Sequence, residues 1–138
     1  MNKVFLDTNV VLDFLLDRRP FSEEASRIFD LSESGEIELF ISSLTVNNIY
    51  YISRKLIGHQ KSIDLIKELL EIVEILNSDK ASILMALDLE FSDFEDGIQN
   101  AVAILNPGIE IIISRNTKDF RKSALPAMSP EVYLKTFF

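Results

Sequence analysis

Lys3-Val4-Phe5-Leu6-Asp7-Thr8-Asn9-Val10 decides the reading of this chain. An apolar triplet runs into an acid, a hydroxyl and an amide, and a helical pattern starts just beyond, which describes a short buried strand ending in a turn. A carboxylate at the carboxyl end of a buried parallel strand stands where open α/β sheets build their sites. It is costly there unless hydrogen-bonded, paired or bound to a cation. Two roles are open to Asp7: a turn residue that caps the next helix, or a ligand to a hard metal. Asn9 adds to the second, because Asp-x-Asn offers two oxygens to Mg²⁺ or Mn²⁺, which prefer oxygen ligands in octahedral geometry.

Outward from this point, strands and helices alternate. Residues 3–6 read as the first strand and 10–16 as a short helix with Asn9 as N-cap, broken by Arg18-Arg19-Pro20. Residues 21–34 form a helix with Ala25, Ile28 and Phe29 on its apolar face and Gly35 just past its end. A second strand covers 39–41. Ser42 or Ser43 then caps a helix through Ile57, which Gly58 stops. Residues 60–70 are helical, 72–76 an edge strand, 79–91 a helix capped by Ser78 or Asp79, and 93–105 the next helix, ended by Asn106-Pro107-Gly108. Residues 109–114 are the strongest candidate for a central strand. A last strand at 125–128 precedes a helix with Ser129 as N-cap and Pro130 at its first position. This alternation implies a parallel sheet covered on both faces. The expected fold is a three-layer α/β/α sandwich on a short, mainly parallel sheet of four or five strands, with residues 1–138 as a single domain.

Composition bounds the function. The 138 residues are 47% hydrophobic and 26% charged, the profile of a globular protein with a real core. The apolar runs are too short to span a bilayer and no signal-peptide pattern opens the chain, so the expectation is a cytoplasmic protein. The chain has no cysteine, which excludes disulfides and thiolate metal sites. A net charge of −8 argues against holding nucleic acid by phosphate neutralisation alone. The basic residues are uneven, however: Arg115, Lys118, Arg121 and Lys122 crowd behind the strand Ile111-Ile112-Ile113. They form either a solvated loop or a basic rim around an acidic centre.

Further candidates for chemistry stand at element ends. In Ser92-Asp93-Phe94-Glu95-Asp96, Ser92 and Glu95 have the spacing of a capping box, which accounts for Glu95. Asp93 suits the first helical turn electrostatically and is also a candidate ligand. Asp96 lies on the same face as Asp93, followed by Gly97, whose place inside a helix a close backbone approach would explain. Asn116 and Asp119 follow the strand 109–114, where turn chemistry is their alternative role; Arg115 and Lys118 could hold a phosphate. Asn48, early in the helix after the second strand, is either a site amide or a partly buried hydrogen-bonding group. His59, the single histidine, reads as a solvated loop residue. With no glycine-rich phosphate loop, nucleophile elbow or His/Cys pair, any chemistry must run on carboxylates and a metal.

Three stretches together resemble the PIN domain, the metal-dependent ribonuclease fold of VapC-like toxins of type II toxin–antitoxin pairs. They are Phe5-Leu6-Asp7-Thr8-Asn9-Val10, Asp93-Phe94-Glu95-Asp96-Gly97-Ile98-Gln99, and Ile113-Ser114-Arg115-Asn116-Thr117-Lys118-Asp119-Phe120. The resemblance covers essentially the whole chain. It implies that acids gather around Mg²⁺ (or Mn²⁺): Asp7, Asp96 and Asp119 as catalytic residues and metal ligands, with Asp93 a further ligand. Asn9, Asn48 and Asn116 would support them, and Arg115 and Lys118 would contact RNA phosphates. It also implies an RNA substrate, a cognate antitoxin protein and a homodimer, with Phe14, Phe21 and Tyr51 as exposed apolar contacts and Tyr133, Phe137 and Phe138 either there or packed on the core. Active members of the family carry a glutamate where this chain has Asn48. The amide keeps an oxygen but loses a charge, which Asp93 could restore. The alternatives are a PIN fold that binds RNA or protein without cutting, an aspartate-based phosphoryl-transfer domain, and a purely structural partner-binding domain.

Overall fold

The computed structural model of the chain describes residues 2–138. In chain order it contains β1 (Asn2–Leu6), α1 (Thr8–Leu15), α2 (Ser22–Glu33), β2 (Ile37–Ser42), α3 (Ser43–Ile57), α4 (His59–Leu70), β3 (Glu74–Leu76), α5 (Lys80–Asp88), α6 (Phe94–Ile104), β4 (Ile109–Ile113), a turn of 3-10 helix (Thr117–Phe120), β5 (Ala127–Met128) and α7 (Pro130–Phe137). Among the described residues the sheet has five strands in the order β3-β2-β1-β4-β5, and every pairing is parallel. The three-layer α/β/α expectation holds.

The two-residue period of the strands divides the core. Val4, Leu6, Leu39, Ile41, Ile111 and Ile113 face one side, where they pack with Val11 of α1, Ile28 and Phe29 of α2, Ile49 of α3 and Tyr133 of α7. Phe5, Phe40 and Ile112 face the other, against Val102 and Ala103 of α6 and Phe120. Strands buried on both faces need apolar residues throughout, which is why Val4-Phe5-Leu6 of β1 and Ile111-Ile112-Ile113 of β4 read as continuous apolar runs.

β1 is the middle strand of the five, and the 109–114 segment forms the interior strand β4 beside it. Both are flanked on each side, so apolar content alone does not distinguish them. The chain builds from β1 through β2 to β3 and then returns to lay β4 on the free side of β1. The direction of growth therefore reverses between β1 and β4. Their carboxyl ends form the crevice in which this class of sheet carries its ligands.

Several local expectations need correction. The helix expected over 79–91 ends at Asp88, and Glu90 turns the chain with a φ of 51°. His59 is the first residue of α4 rather than a loop residue, and its Nδ1 lies 2.9 Å from the Tyr50 hydroxyl. Phe14 stacks on Phe29 at 4.0 Å instead of standing free, whereas Phe21 and Tyr51 are exposed. Tyr133 is buried in the core, and Phe137 and Phe138 lean on its ring while remaining about half exposed.

Candidate active site

Asp7 continues the β1 ladder one residue past the strand, its N–H donating to the Ile113 carbonyl at 2.9 Å. Its side chain is only 6% exposed. Oδ1 accepts the Thr8 N–H at 2.8 Å, and Oδ2 accepts the Ser114 hydroxyl at 2.7 Å. Asp7, rather than Asn9, is thus the N-cap of α1, because the helix begins at Thr8, directly after the strand end. Burial pushes the Asp7 carboxyl above its ordinary range; the bonds from Ser114 and Thr8 oppose this, and the nearby charges of Asp119 and Asp93 add to it.

At the start of α6 the expected Ser92–Glu95 capping box does not form. The cap is Asp93, whose Oδ1 accepts the Asp96 N–H at 3.2 Å. Aspartate caps as well as serine, and the helix begins one residue later than a serine cap requires. Glu95 is free of capping duty, and its Oε1 accepts a hydrogen bond from Asn48 Nδ2 of α3. Asp96, one turn in, has its carboxyl pushed up to about 7, first by burial and then by the charges of Asp7, Asp93, Asp119 and Glu95. Glu95 is raised as well, by partial burial and by Asp93 and Asp7, with the Asn48 bond pulling the other way.

The end of β1, the first turn of α6 and the 3-10 turn after β4 thereby bring five carboxylates into one electrostatic neighbourhood. Among the described residues, no three His, Cys, Asp or Glu side chains stand in a ready metal-binding group. The acids are neighbours that repel one another, not a closed cage.

A buried polar floor underlies them. Gln99 Nε2 donates to Thr45 Oγ1 at 2.8 Å and to Thr8 Oγ1 at 3.2 Å, while its Oε1 accepts the Ser42 hydroxyl at 2.6 Å. This knot ties the residues at the ends of β1 and β2 to α3 and α6, setting the first turns of α6 beside them. Asn100 lies one helical turn beyond Asp96 on the same face of α6. It is fully buried, and neither its amide oxygen nor its nitrogen has a partner among the described residues. Asn9 Oδ1 is likewise buried and without a partner there. Carboxylate and amide oxygens of this kind are the donor class that a hard cation such as Mg²⁺ or Mn²⁺ takes.

The remaining candidates divide. Asp119 faces the acids from the 3-10 turn, whereas Asn116 is exposed and its backbone N–H donates to Ser114 Oγ at 3.0 Å. Lys118 is exposed. Arg115 is committed elsewhere: Nε and Nη2 bind Asp13 at 2.7 and 3.3 Å, and the guanidinium lies 3.9 Å over the Phe21 ring. Asp13 is 1% exposed and also takes Arg18 Nε at 2.9 Å. A carboxylate so buried draws in the nearest cations, which is why Arg115 turns from the phosphate-binding orientation expected of it. Local sequence assigns no role to Asp13, Ser114, Gln99 or Asn100, although Ser114 and Gln99 lie within the motif stretches. Only Gln99 and Asn100 carried a signal, as polar residues in the interior of a helix otherwise lined by Ala101, Val102 and Ala103.

The chain matches the PIN domain over residues 3–118 and belongs to that family. It is 29% identical over 136 residues to Ribonuclease VapC1 of Aquifex aeolicus (strain VF5), spanning 95% of this chain and 92% of that protein. The solved DNA-bound VapBC of Salmonella typhimurium superposes with a TM-score of 0.71 at 17% identity, covering 94% of this chain and 99% of that one. A toxin–antitoxin complex from Klebsiella pneumoniae gives 0.68 at 26% identity, covering 92% and 97%.

Proposed function

We propose that this PIN domain is a metal-dependent endoribonuclease, the toxin of a type II toxin–antitoxin pair. The observation that carries the reading is Asp96, pushed to about 7 by burial and by the charges of Asp7, Asp93, Asp119 and Glu95 at the sheet's switch point. So many carboxylates at one crevice are stable in their ionised form only with a cation among them. The likeness to Ribonuclease VapC1 and to solved toxin–antitoxin complexes supports both the activity and the protein partner.

Asp7, Asp96 and Asp119 would hold Mg²⁺ or Mn²⁺, with Asp93 at the rim and Asn9 reached directly or through water. When bound, the ion supplies a water of lowered pKa and offsets charge on the attacked phosphate. The protein's own part is positional. Ser114 and the Thr8 N–H aim the Asp7 carboxylate, the Gln99 knot fixes α6 against β1, and Lys118 faces the substrate backbone. Hydrolysis would leave 5′-phosphate and 3′-hydroxyl ends. The antitoxin is expected over the acidic edge, and pairing into a homodimer would bury the exposed Tyr51 face of α3. No helix among the described residues is long and apolar enough to cross a membrane.

The test is RNA cleavage by the wild type and by Asp7→Asn with Mg²⁺ or Mn²⁺, and with chelator. Asparagine keeps one oxygen to accept the Thr8 N–H, so the variant retains its cap, and its NH₂ can donate to the Ser114 hydroxyl instead of accepting from it. Metal-dependent cutting that disappears in Asp7→Asn is the expected result. RNA binding without cutting at any metal concentration would leave a binding module instead.

A further inference from the structure

We propose that a second copy of this chain covers the outer face of α5, packed antiparallel across a twofold axis at Leu84, so that Lys80 of each copy meets the partner's Asp88. The inference rests on the homodimer expected above, to which it gives a centre, and is independent of the metal and of RNA cleavage.

α5 packs on α6 through small residues. Ser82 and Ala86 are buried, and Ala86 stands against Gly97 of α6. The large apolar residues lie on the other side of the helix. Ile83, Leu84 and Leu87 are between 39% and 60% exposed. Lys80 and Asp88, also exposed, complete one stripe with them, since the five positions follow helical spacing along a single face. A helix that is apolar on opposite faces is one that is covered on both.

The charges on the stripe say what covers it. A helix favours acids at its N-terminus and cations at its C-terminus. Beyond its cap Asp79, α5 has the reverse: Lys80 is its first residue and Asp88 its last, with no acid in the first turn and no base in the last. Neither forms an ion pair among the described residues. Lys122 comes to this end of the helix, but it donates to the Glu90 carbonyl at 3.0 Å and not to Asp88. An antiparallel copy reverses both faults. Lys80 then lies beside a helix C-terminus and the partner's Asp88, and the symmetry makes that contact twice. A parallel copy would set lysine against lysine. Leu84 is four residues from each charge, so it falls on the axis, with Ile83 and Leu87 to either side. Two chains of net charge −8 repel each other elsewhere, and they approach most easily where the exposed charges cancel. A helix of nine residues is only about 13 Å long, so pairing centred on it is concentration-dependent.

Sedimentation velocity of the full chain over a range of concentrations, in chelator, tests this. The wild type is expected to dimerise and Leu84→Glu to be monomeric, because it sets two like charges at the axis. Lys80→Glu and Asp88→Lys should each weaken the dimer by at least about tenfold, since each creates two like-charge contacts. Combining Lys80→Glu with Asp88→Lys should restore it. Each single change also corrects a charge at its own helix end, so the thermal midpoint at dilutions where the wild type is monomeric should not fall. That separates lost pairing from lost folding. A Leu84→Glu chain that still dimerises would overturn the assignment, as would charge variants that pair normally or a double variant no tighter than the single ones. A dimer that Tyr51→Ser dissociates and Leu84→Glu does not would put the axis on α3. If the wild type is monomeric at every concentration, the homodimer and this inference fall together.

Discussion

The Ser114 hydroxyl donates to Asp7 Oδ2 at 2.7 Å across the junction of β1 and β4, and Ser114 Oγ in turn accepts the Asn116 N–H at 3.0 Å. Ser114 is fully buried. It therefore links the acid at the end of the central strand to the turn that carries Asp119. Replacing Ser114 with alanine leaves a buried carboxylate oxygen and a backbone N–H without their partner, at a cost of about 1–3 kcal/mol. The Asp7 carboxyl should also move further upward, since the strongest interaction holding it down is lost. Urea unfolding of Ser114→Ala, with Asp7 followed by carboxyl-carbon NMR, reads both effects; an unchanged midpoint and titration would mean water replaces the hydroxyl.

That junction shows what the sequence could and could not disclose. Strands such as Val4-Phe5-Leu6 announce themselves because burial on both faces demands unbroken apolar runs. Asp7 announces itself because a carboxylate directly behind such a run needs a reason. That Asp7, Asp96 and Asp119 share one edge depends on strand order, which local patterns do not encode, and here the family resemblance supplied the link. Capping was ambiguous for a physical reason: Ser92 and Asp93 are both good caps, and which one acts depends on where α6 is stopped by its packing. The Arg115–Asp13 pair spans 102 positions and the Asn48–Glu95 pair 47. Neither leaves a periodic trace, so Arg115 read as a free cation and Glu95 as a cap.

Asp13 provides a direct check on that reassignment. It is 1% exposed and takes both Arg18 and Arg115, which are themselves 35% and 27% exposed. Asp13→Asn removes the charge that both cations answer. Because each arginine can regain some water, the expected loss lies at the low end of the range for a broken buried pair, about 3 kcal/mol. Arg115→Met leaves Asp13 paired with Arg18 and should cost only about 1 kcal/mol. Denaturant midpoints of the two variants should therefore separate clearly. If Arg115→Met instead weakened RNA binding while leaving stability intact, the phosphate-binding role expected from sequence would be restored.

Gly97 offers a stabilising substitution. A close backbone approach was one explanation for glycine inside α6, yet a methyl group there would meet the Cβ atoms of Phe91 and Ala86 at 3.4 and 3.5 Å, ordinary van der Waals distances. The position needs no positive φ. Gly97→Ala should then stabilise the chain by about 0.5–1 kcal/mol through helix propensity. A lower thermal midpoint for Gly97→Ala would show that α5 and α6 have no slack for the methyl.

Asp96 makes stability depend on pH in a direction opposite to that of a salt-bridged acid. Its carboxyl is raised from 3.8 to about 7 by burial and by the acids around it. Between those values the folded chain keeps the proton that the unfolded chain has released. The native state binds more protons, so stability falls as pH rises through this window. Asp7, also raised, contributes with the same sign. The metal-free protein should melt at lower temperature at pH 7 than at pH 5, and Asp96→Asn should flatten the slope. Excess Mn²⁺ should reverse it, because a cation binds the ionised carboxylates and not the protonated ones. At a free concentration of about 100 times Kd, Mn²⁺ adds about 2.7 kcal/mol, roughly 9 °C for a chain of this length. Melting curves at pH 5 and 7, with Mn²⁺ and with chelator, measure the whole cycle. A melting temperature that rises with pH in the chelated protein would show that the acids at this crevice are neutralised by something other than a metal.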